Sequence, residues 1–176
     1  AEPSFPPIIA SGSHAASPHH VSQPTRLSRG FCVIDMGVRL AGYCSDMTRT
    51  IYLGTPSKKE RELYERVKKA QAETVKKIRA GIPARELDVF CRSRLGEALS
   101  REFIHGLGHG VGTQVHESPR VTGKSEDVLV AGMVITIEPG VYREGAYGIR
   151  IEDDILVKSR GSEILTKTPR RLHVIS

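Results

Sequence analysis

Phe31-Cys32-Val33-Ile34-Asp35 is a nearly continuous apolar run that ends in an acid, and Thr48-Arg49-Thr50-Ile51-Tyr52-Leu53 follows it across Leu40-Ala41-Gly42 and Tyr43-Cys44-Ser45-Asp46. The first run suits a strand buried on both faces; the second, rich in Thr, Tyr and Ile, suits a half-buried pleated surface. Together they predict an antiparallel hairpin turning near Leu40-Ala41. Downstream, Ser57 and Glu60 match a capping box. Leu63, Tyr64, Val67, Ala70, Val75 and Ile78 then recur at helical steps until Gly81 and Pro83. A second helix is expected from about Ala84 to Arg101, burying Leu87, Phe90, Cys91, Leu95 and Leu99. Strands are expected again at Val115 to Glu117, Met133 to Glu138 and Gly148 to Val157, with a short one at the C-terminus. Strands, then helices, then strands without repeats predict an α+β fold.

Outside this frame, residues 1–30 are rich in Pro, Ser and His and read as a loose arm. At 176 residues the chain has the length of one domain with a sizeable core. Its longest apolar run, Val128 to Ile137, is too short to span a bilayer. No charged-then-apolar leader opens it, so no signal peptide is expected. Cys32, Cys44 and Cys91 are odd in number and form no CxxC pair, which argues against a disulfide framework or zinc ribbon and for a reducing, cytoplasmic compartment. A formal charge of +6 affects solubility and steering before it implies a partner. With no Trp and no stretch that interleaves aromatics with Lys or Arg, no nucleic-acid partner is expected.

The chemistry lies in paired acids. Asp35 and Asp46 flank the first turn, and a hairpin symmetric about Leu40-Ala41 would set them face to face. Glu138 ends the run Met133-Val134-Ile135-Thr136-Ile137, Glu152 lies in Ile149-Arg150-Ile151-Glu152, and their midpoint is Gly145. Any one of these acids alone reads more readily as solvent-facing or paired with Arg or Lys. Four of them beside apolar runs, paired across turns, suit a cation better, because buried carboxylates must pair, protonate or bind metal. Two divalent ions would balance the four carboxylates, and with the imidazole of His109 such a set suits Mn, Co, Fe or Zn.

His105-Gly106-Leu107-Gly108-His109-Gly110-Val111-Gly112 has four alternate glycines, unfavourable in a helix by about 1 kcal/mol each, so it is expected to be a shaped loop or distorted strand where backbone approaches closely. The helical HExxH arrangement is excluded, since no Glu follows His105 and the glycines forbid the helix. His105, His109 and His116 remain candidates to ligate metal or to donate to an oxyanion.

Asp35-Met-Gly-Val-Arg-Leu-Ala-Gly-Tyr-Cys-Ser-Asp46-Met-Thr-Arg-Thr50, His105-Gly-Leu-Gly-His109 through His116-Glu-Ser-Pro119, Gly132-Met-Val-Ile-Thr-Ile-Glu138-Pro-Gly140 and Gly148-Ile-Arg-Ile-Glu152-Asp153 resemble the catalytic domain of the pita-bread metallopeptidases. The Thr48-Arg49-Thr50 tail and His105-Gly-Leu-Gly-His109 are more similar to Xaa-Pro dipeptidase (prolidase) and Xaa-Pro aminopeptidase than to methionine aminopeptidase. The resemblance implies a curved antiparallel sheet backed by helices, and hydrolysis of peptide bonds preceding proline at a dinuclear centre. Asp35 would hold one ion, His109 and Glu138 the other, and Asp46 and Glu152 both. Glu138 would also shuttle the proton, and His116 would steady the tetrahedral intermediate. His19, with His20 the alternative, would contact substrate, His105 would line the substrate pocket and Arg150 would act behind the ligands. The implied partner is a proline-containing peptide, with no membrane, and the implied assembly is a homodimer of the full-length protein. Against the family's pattern, residues 1–176 read as a single catalytic domain shortened at its N-terminus and lacking its first helices. The alternatives are a methionine aminopeptidase-like enzyme or a non-catalytic binding module on the same fold.

Overall fold

A computed structural model describes residues 1–176. Strands β1 (Glu2–Pro3), β2 (Ile8–Ser11), β3 (Gly30–Met36), β4 (Val38–Leu40), β5 (Tyr43–Cys44) and β6 (Met47–Leu53) precede three helices, α1 (Lys58–Val75), α2 (Ala84–Leu95) and α3 (Glu97–Glu102). Strands β7 (Gly108–Gly110), β8 (Glu117–Val121), β9 (Val134–Ile137), β10 (Gly140–Arg143), β11 (Tyr147–Arg150), β12 (Asp153–Val157), β13 (Ser162–Ile164) and β14 (His173–Ile175) complete the α+β order.

Two larger sheets carry the architecture. One runs β14-β6-β3-β2 and the other β13-β12-β9-β7-β8, with small sheets β1-β4-β5 and β10-β11 at their ends. All pairings are antiparallel except that of β14 with β6. The three helices share one core with the sheets. Tyr64, Val67 and Ala70 of α1 and Leu87, Cys91 and Leu95 of α2 join Phe31, Tyr52, Ile135, Ile149 and Ile155 in one continuous apolar cluster. No helix is long and apolar enough to cross a membrane.

The capping box forms as expected: Glu60 N–H donates to Ser57 Oγ and Ser57 N–H to Glu60 Oε2. Four expectations need correction. The helix from Ala84 is two helices, because Gly96 adopts φ +81° and ends the first. Residues 112–116 form a bend, and the strand starts at Glu117, not Val115. The long strand from Gly148 is broken at Ile151-Glu152, opposite Glu138-Pro139, where proline has no N–H to offer the ladder. Nor is the arm loose. β2 adds to the edge of β3, and Ala10 and Ala15 pack on Val33. The arm's pairing partner lies more than twenty residues ahead, so composition alone could not reveal it.

Candidate metal centre

Five side chains from five points on the chain converge. Asp35 is in β3, Asp46 in the gap before β6, His109 in β7, Glu138 after β9 and Glu152 before β12. Ligand atoms of Asp35, Asp46 and Glu152 lie within 4.8 Å of one another, and so do those of His109, Glu138 and Glu152. Glu152 belongs to both groups. A third group of the same tightness joins Asp46, His109 and His116.

The second acid pair is as the turn predicts. The register runs from Gly140 opposite Arg150 to Ile137 opposite Asp153, which leaves Glu138 across from Glu152. The first pair is not directly opposed. Asp35 pairs with Thr48, because the turn residues are Ala41 (φ +50°) and Gly42 (φ +86°), between the paired Leu40 and Tyr43. Two successive positive φ values make a two-residue hairpin turn centred beyond the expected point. Asp46 still reaches Asp35, diagonally, from the irregular stretch at Ser45-Asp46.

The glycine-rich stretch brings strands together as expected, with a bulge between His109 and Gly110. A Cβ on Gly108 would strike the Thr136 carbonyl oxygen and lie 2.8 Å from Thr136 Oγ1. That hydroxyl accepts from His109 N–H (3.0 Å) and donates to Glu138 Oε1 (3.2 Å). Gly108→Ala is therefore expected to cost about 1–3 kcal/mol in urea unfolding. It should also weaken divalent-metal uptake, because Thr136 aligns two of the five groups.

Polar contacts orient each acid. Arg150 donates to Asp35 Oδ2 (2.5 Å), to Thr48 Oγ1 (3.0 Å), to the Tyr142 hydroxyl (2.9 Å) and to the Pro18 carbonyl (3.1 Å). Thr48 Oγ1 donates to Glu152 Oε2 (2.5 Å). His109 directs Nε2 at Glu138 (3.3 Å) and Asp46 (3.7 Å), while its Nδ1 faces the Gly110 carbonyl (3.1 Å).

Even so, four buried carboxylate oxygens have no partner: Asp35 Oδ1, Asp46 Oδ1, Glu152 Oε1 and Asp154 Oδ1. Buried acceptors without donors are costly and rare, and their clustering here is what a cation would relieve. Burial, then the charges of Asp35 and Glu138, pushes Asp46 up to about 8. Burial and the same neighbours raise Glu152 well above the carboxylate range. Burial opposes ionisation of Glu138, but the His109 hydrogen bond and the charges of His105 and His109 bring it below its ordinary value. Conversely His109 is raised despite burial, through Glu138. Oxygen donors with one imidazole fit one or more hard-to-borderline divalent ions. The residues present therefore fit a metal.

The other expected residues surround this centre. His116 is exposed and its ring packs edge-on against His109 (4.3 Å). Burial and then His109 lower its pKa. His105 is also lowered, by burial first. Both His105 nitrogens are engaged, with the Gly106 carbonyl (2.7 Å) and the Tyr142 hydroxyl (2.9 Å). That hydroxyl accepts from Arg150, so it donates to His105 Nε2. His19 is exposed, and its charge is felt by both His105 and His116. His20 instead stacks on His14 (4.8 Å).

Sequence reasoning missed Thr48, Thr136, Tyr142, Asp154 and Arg49. Thr48 and Thr136 stand two residues from Asp46 and Glu138, so strand alternation could have found them. Arg49 donates to the Thr48, Glu152 and Thr168 carbonyls and pairs with Asp153 (2.7 Å), tying the C-terminal segment to the site. The sequence marks it only as part of the Thr48-Arg49-Thr50 tail, with no role attached.

Comparison with known proteins identifies relatives of the chain. The family model described as metallopeptidase family M24 matches residues 1–159. The Xaa-Pro dipeptidase of Pyrococcus horikoshii is 49% identical over 173 residues, which are 97% of this chain and 49% of that protein. Its Pyrococcus furiosus counterpart is 47% identical over 97% of this chain and 50% of its own length. Among solved structures, the prolidase from Pyrococcus furiosus matches with TM-score 0.92 and 48% identity over 96% of this chain and 50% of its own. The X-Pro aminopeptidase from Thermotoga maritima MSB8 gives 0.95 and 39% over 99% and 49%. The fold is thus the pita-bread arrangement expected from the sequence, and the chain spans about half the length of the relatives it matches.

Proposed function

The chain belongs to metallopeptidase family M24, and from that premise we propose that it hydrolyses the peptide bond preceding proline, as an Xaa-Pro dipeptidase or Xaa-Pro aminopeptidase. Asp35 would hold one divalent ion and His109 with Glu138 a second, Asp46 and Glu152 serving both; Mn, Co, Fe or Zn suits these donors. Bound there, such ions supply Lewis-acid polarisation of the scissile carbonyl and lower the pKa of water.

The chain's own groups do the rest. Glu138 takes a proton from the attacking water and returns it to the departing proline nitrogen. His116, with its lowered pKa, is a neutral imidazole that donates to the oxyanion. Arg150 fixes Asp35 and, through Tyr142, His105. With both nitrogens engaged, His105 offers substrate a ring wall and no free donor. His19 contacts substrate from the arm that Arg150 anchors at Pro18. A proline imide has no N–H, so selection rests on ring shape and on contacts to the flanking carbonyl or carboxylate.

The observation that carries this reading is the pair of donor groups sharing Glu152, with three of the four partnerless oxygens on Asp35, Asp46 and Glu152. The test is to strip the chain with a chelator, reload it with Mn²⁺, and offer an Xaa-Pro dipeptide, an Xaa-Pro-Xaa tripeptide and a Met-Ala peptide. Cleavage confined to Xaa-Pro bonds is expected. Cleavage only after Met would make it methionine aminopeptidase-like, and metal uptake without cleavage of any peptide would leave a binding module. A homodimeric assembly and a cytoplasmic location belong to the same reading; the three unpaired cysteines support the latter.

A further inference from the structure

Three links step along two strands that are about a hundred residues apart in sequence. Thr50 Oγ1 donates to the Arg150 carbonyl (2.8 Å) and accepts from Arg150 N–H (3.0 Å). Two residues on, Glu152 N–H donates to the Thr48 carbonyl (3.1 Å) while Thr48 Oγ1 reaches the Glu152 carboxylate (2.5 Å). Two further, Asp46 N–H donates to Asp154 Oδ2 (3.0 Å). The series zips β6 and its lead-in residues to β11 and β12, so the two larger sheets are fixed to each other along this line. Its last two rungs hold the two acids assigned to both ions.

The outermost rung differs from the others. Asp46 lies where the β3–β6 ladder has ended at Met36–Met47 and the β4–β5 ladder has ended at Arg39–Cys44. Its N–H therefore has no strand partner and is buried; Asp46 is 4% exposed. Such a donor needs an acceptor. Asp154 supplies it and is itself gripped: its N–H donates to Thr166 Oγ1 (3.0 Å), its carbonyl accepts from Leu165 N–H (2.9 Å), and it pairs with Thr136 in the ladder.

We infer that Asp154 is a positioning residue, whose carboxylate fixes the Asp46 backbone against the second sheet and thereby sets the distance between the Asp46 and Glu152 carboxylates. This rests on the metal-centre reading above. What matters is an acceptor at this spot; a charge there only adds to the repulsion Asp46 already feels.

The test titrates Mn²⁺ by calorimetry into the chelator-treated full chain, wild type against Asp154→Asn, Asp154→Glu and Asp154→Leu. Far-UV circular dichroism checks that each variant folds. Asp154→Asn, neutral but with an oxygen in place, should bind within about threefold of wild type. Asp154→Glu, charged but displaced by a methylene, and Asp154→Leu, with no acceptor, should bind about 10–100-fold more weakly, the usual loss when a ligand's supporting partner goes. If Asp154→Leu does not fold, the Asn–Glu contrast decides alone. Wild-type affinity in the Glu and Leu variants, or a loss in Asn equal to theirs, would overturn the positioning role. Failure of the wild type itself to take up Mn²⁺ would instead overturn the metal centre, and this inference with it.

Discussion

Asp46→Ala is expected to abolish divalent-metal uptake and peptide hydrolysis while making the metal-free chain more stable than wild type. The two halves of this result have one cause. Asp46 is almost fully buried, one of its oxygens has no partner, and Asp35, Glu138 and Asp154 all raise its pKa. Without a cation, its carboxylate is a buried like charge among like charges, unfavourable on both counts. Alanine removes that repulsion and leaves the Asp46 N–H bond to Asp154 in place, because it is a backbone donor. Relief of about 1 kcal/mol would raise the thermal midpoint by about 2–4 °C in a chain of this size. Elemental analysis, Xaa-Pro hydrolysis and calorimetric unfolding at pH 8 with chelator measure the three effects. Unchanged metal content and activity would refute the site, and a lower metal-free midpoint would refute the electrostatic account of it.

The metal-free and metal-loaded proteins should respond to pH with opposite signs. Burial and neighbouring acids push Asp46 up to about 8 and raise Glu152, and burial pushes Asp154 up to about 6, whereas unfolded carboxyls titrate near 4. The folded metal-free chain thus keeps protons that the unfolded chain releases. Where the unfolded state binds fewer protons, stability falls as pH rises. This contribution is complete below about pH 4 and is lost through pH 6 to 8. His109, raised by Glu138, adds to the loss at the upper end. Glu138, lowered by His109, acts the other way, but only near and below its ordinary range. With Mn²⁺ bound the sign reverses, because the ligands must be deprotonated and the ion competes with protons. Urea midpoints at pH 5 and pH 8 should fall with chelator and rise with saturating Mn²⁺. A metal-free profile that is flat or rising would show that these carboxylates are not buried together.

How much could be read in advance differs between the two hairpins. In the second, the turn centre at Gly145 and the opposition of Glu138 to Glu152 were both legible, since Arg143 pairs with Tyr147 across a three-residue loop. In the first, the centre lay beyond the expected point because Ala41, not a glycine, takes positive φ. An alanine gives no sign of that. The expectation of a loose N-terminal arm failed for another reason: β2 is ordered by the free edge of β3 and by Ala10 and Ala15 packing on Val33. Local composition does not record a partner strand. Tyr142 and Asp154 likewise carry no pattern; they matter because of what faces them.

By itself the sequence determined the α+β order and the four paired acids, because periodicity, caps and acids beside apolar runs are local properties of the chain; His109 joined them as ligand through the resemblance to a known family. Only the tertiary structure decided that Glu152 stands in both donor groups, which oxygens lack partners, and that the Asp46 N–H meets Asp154. Those depend on how two sheets dock across about a hundred residues of intervening chain, and the hydrogen bonds that fix the docking join groups that no short window of sequence contains together.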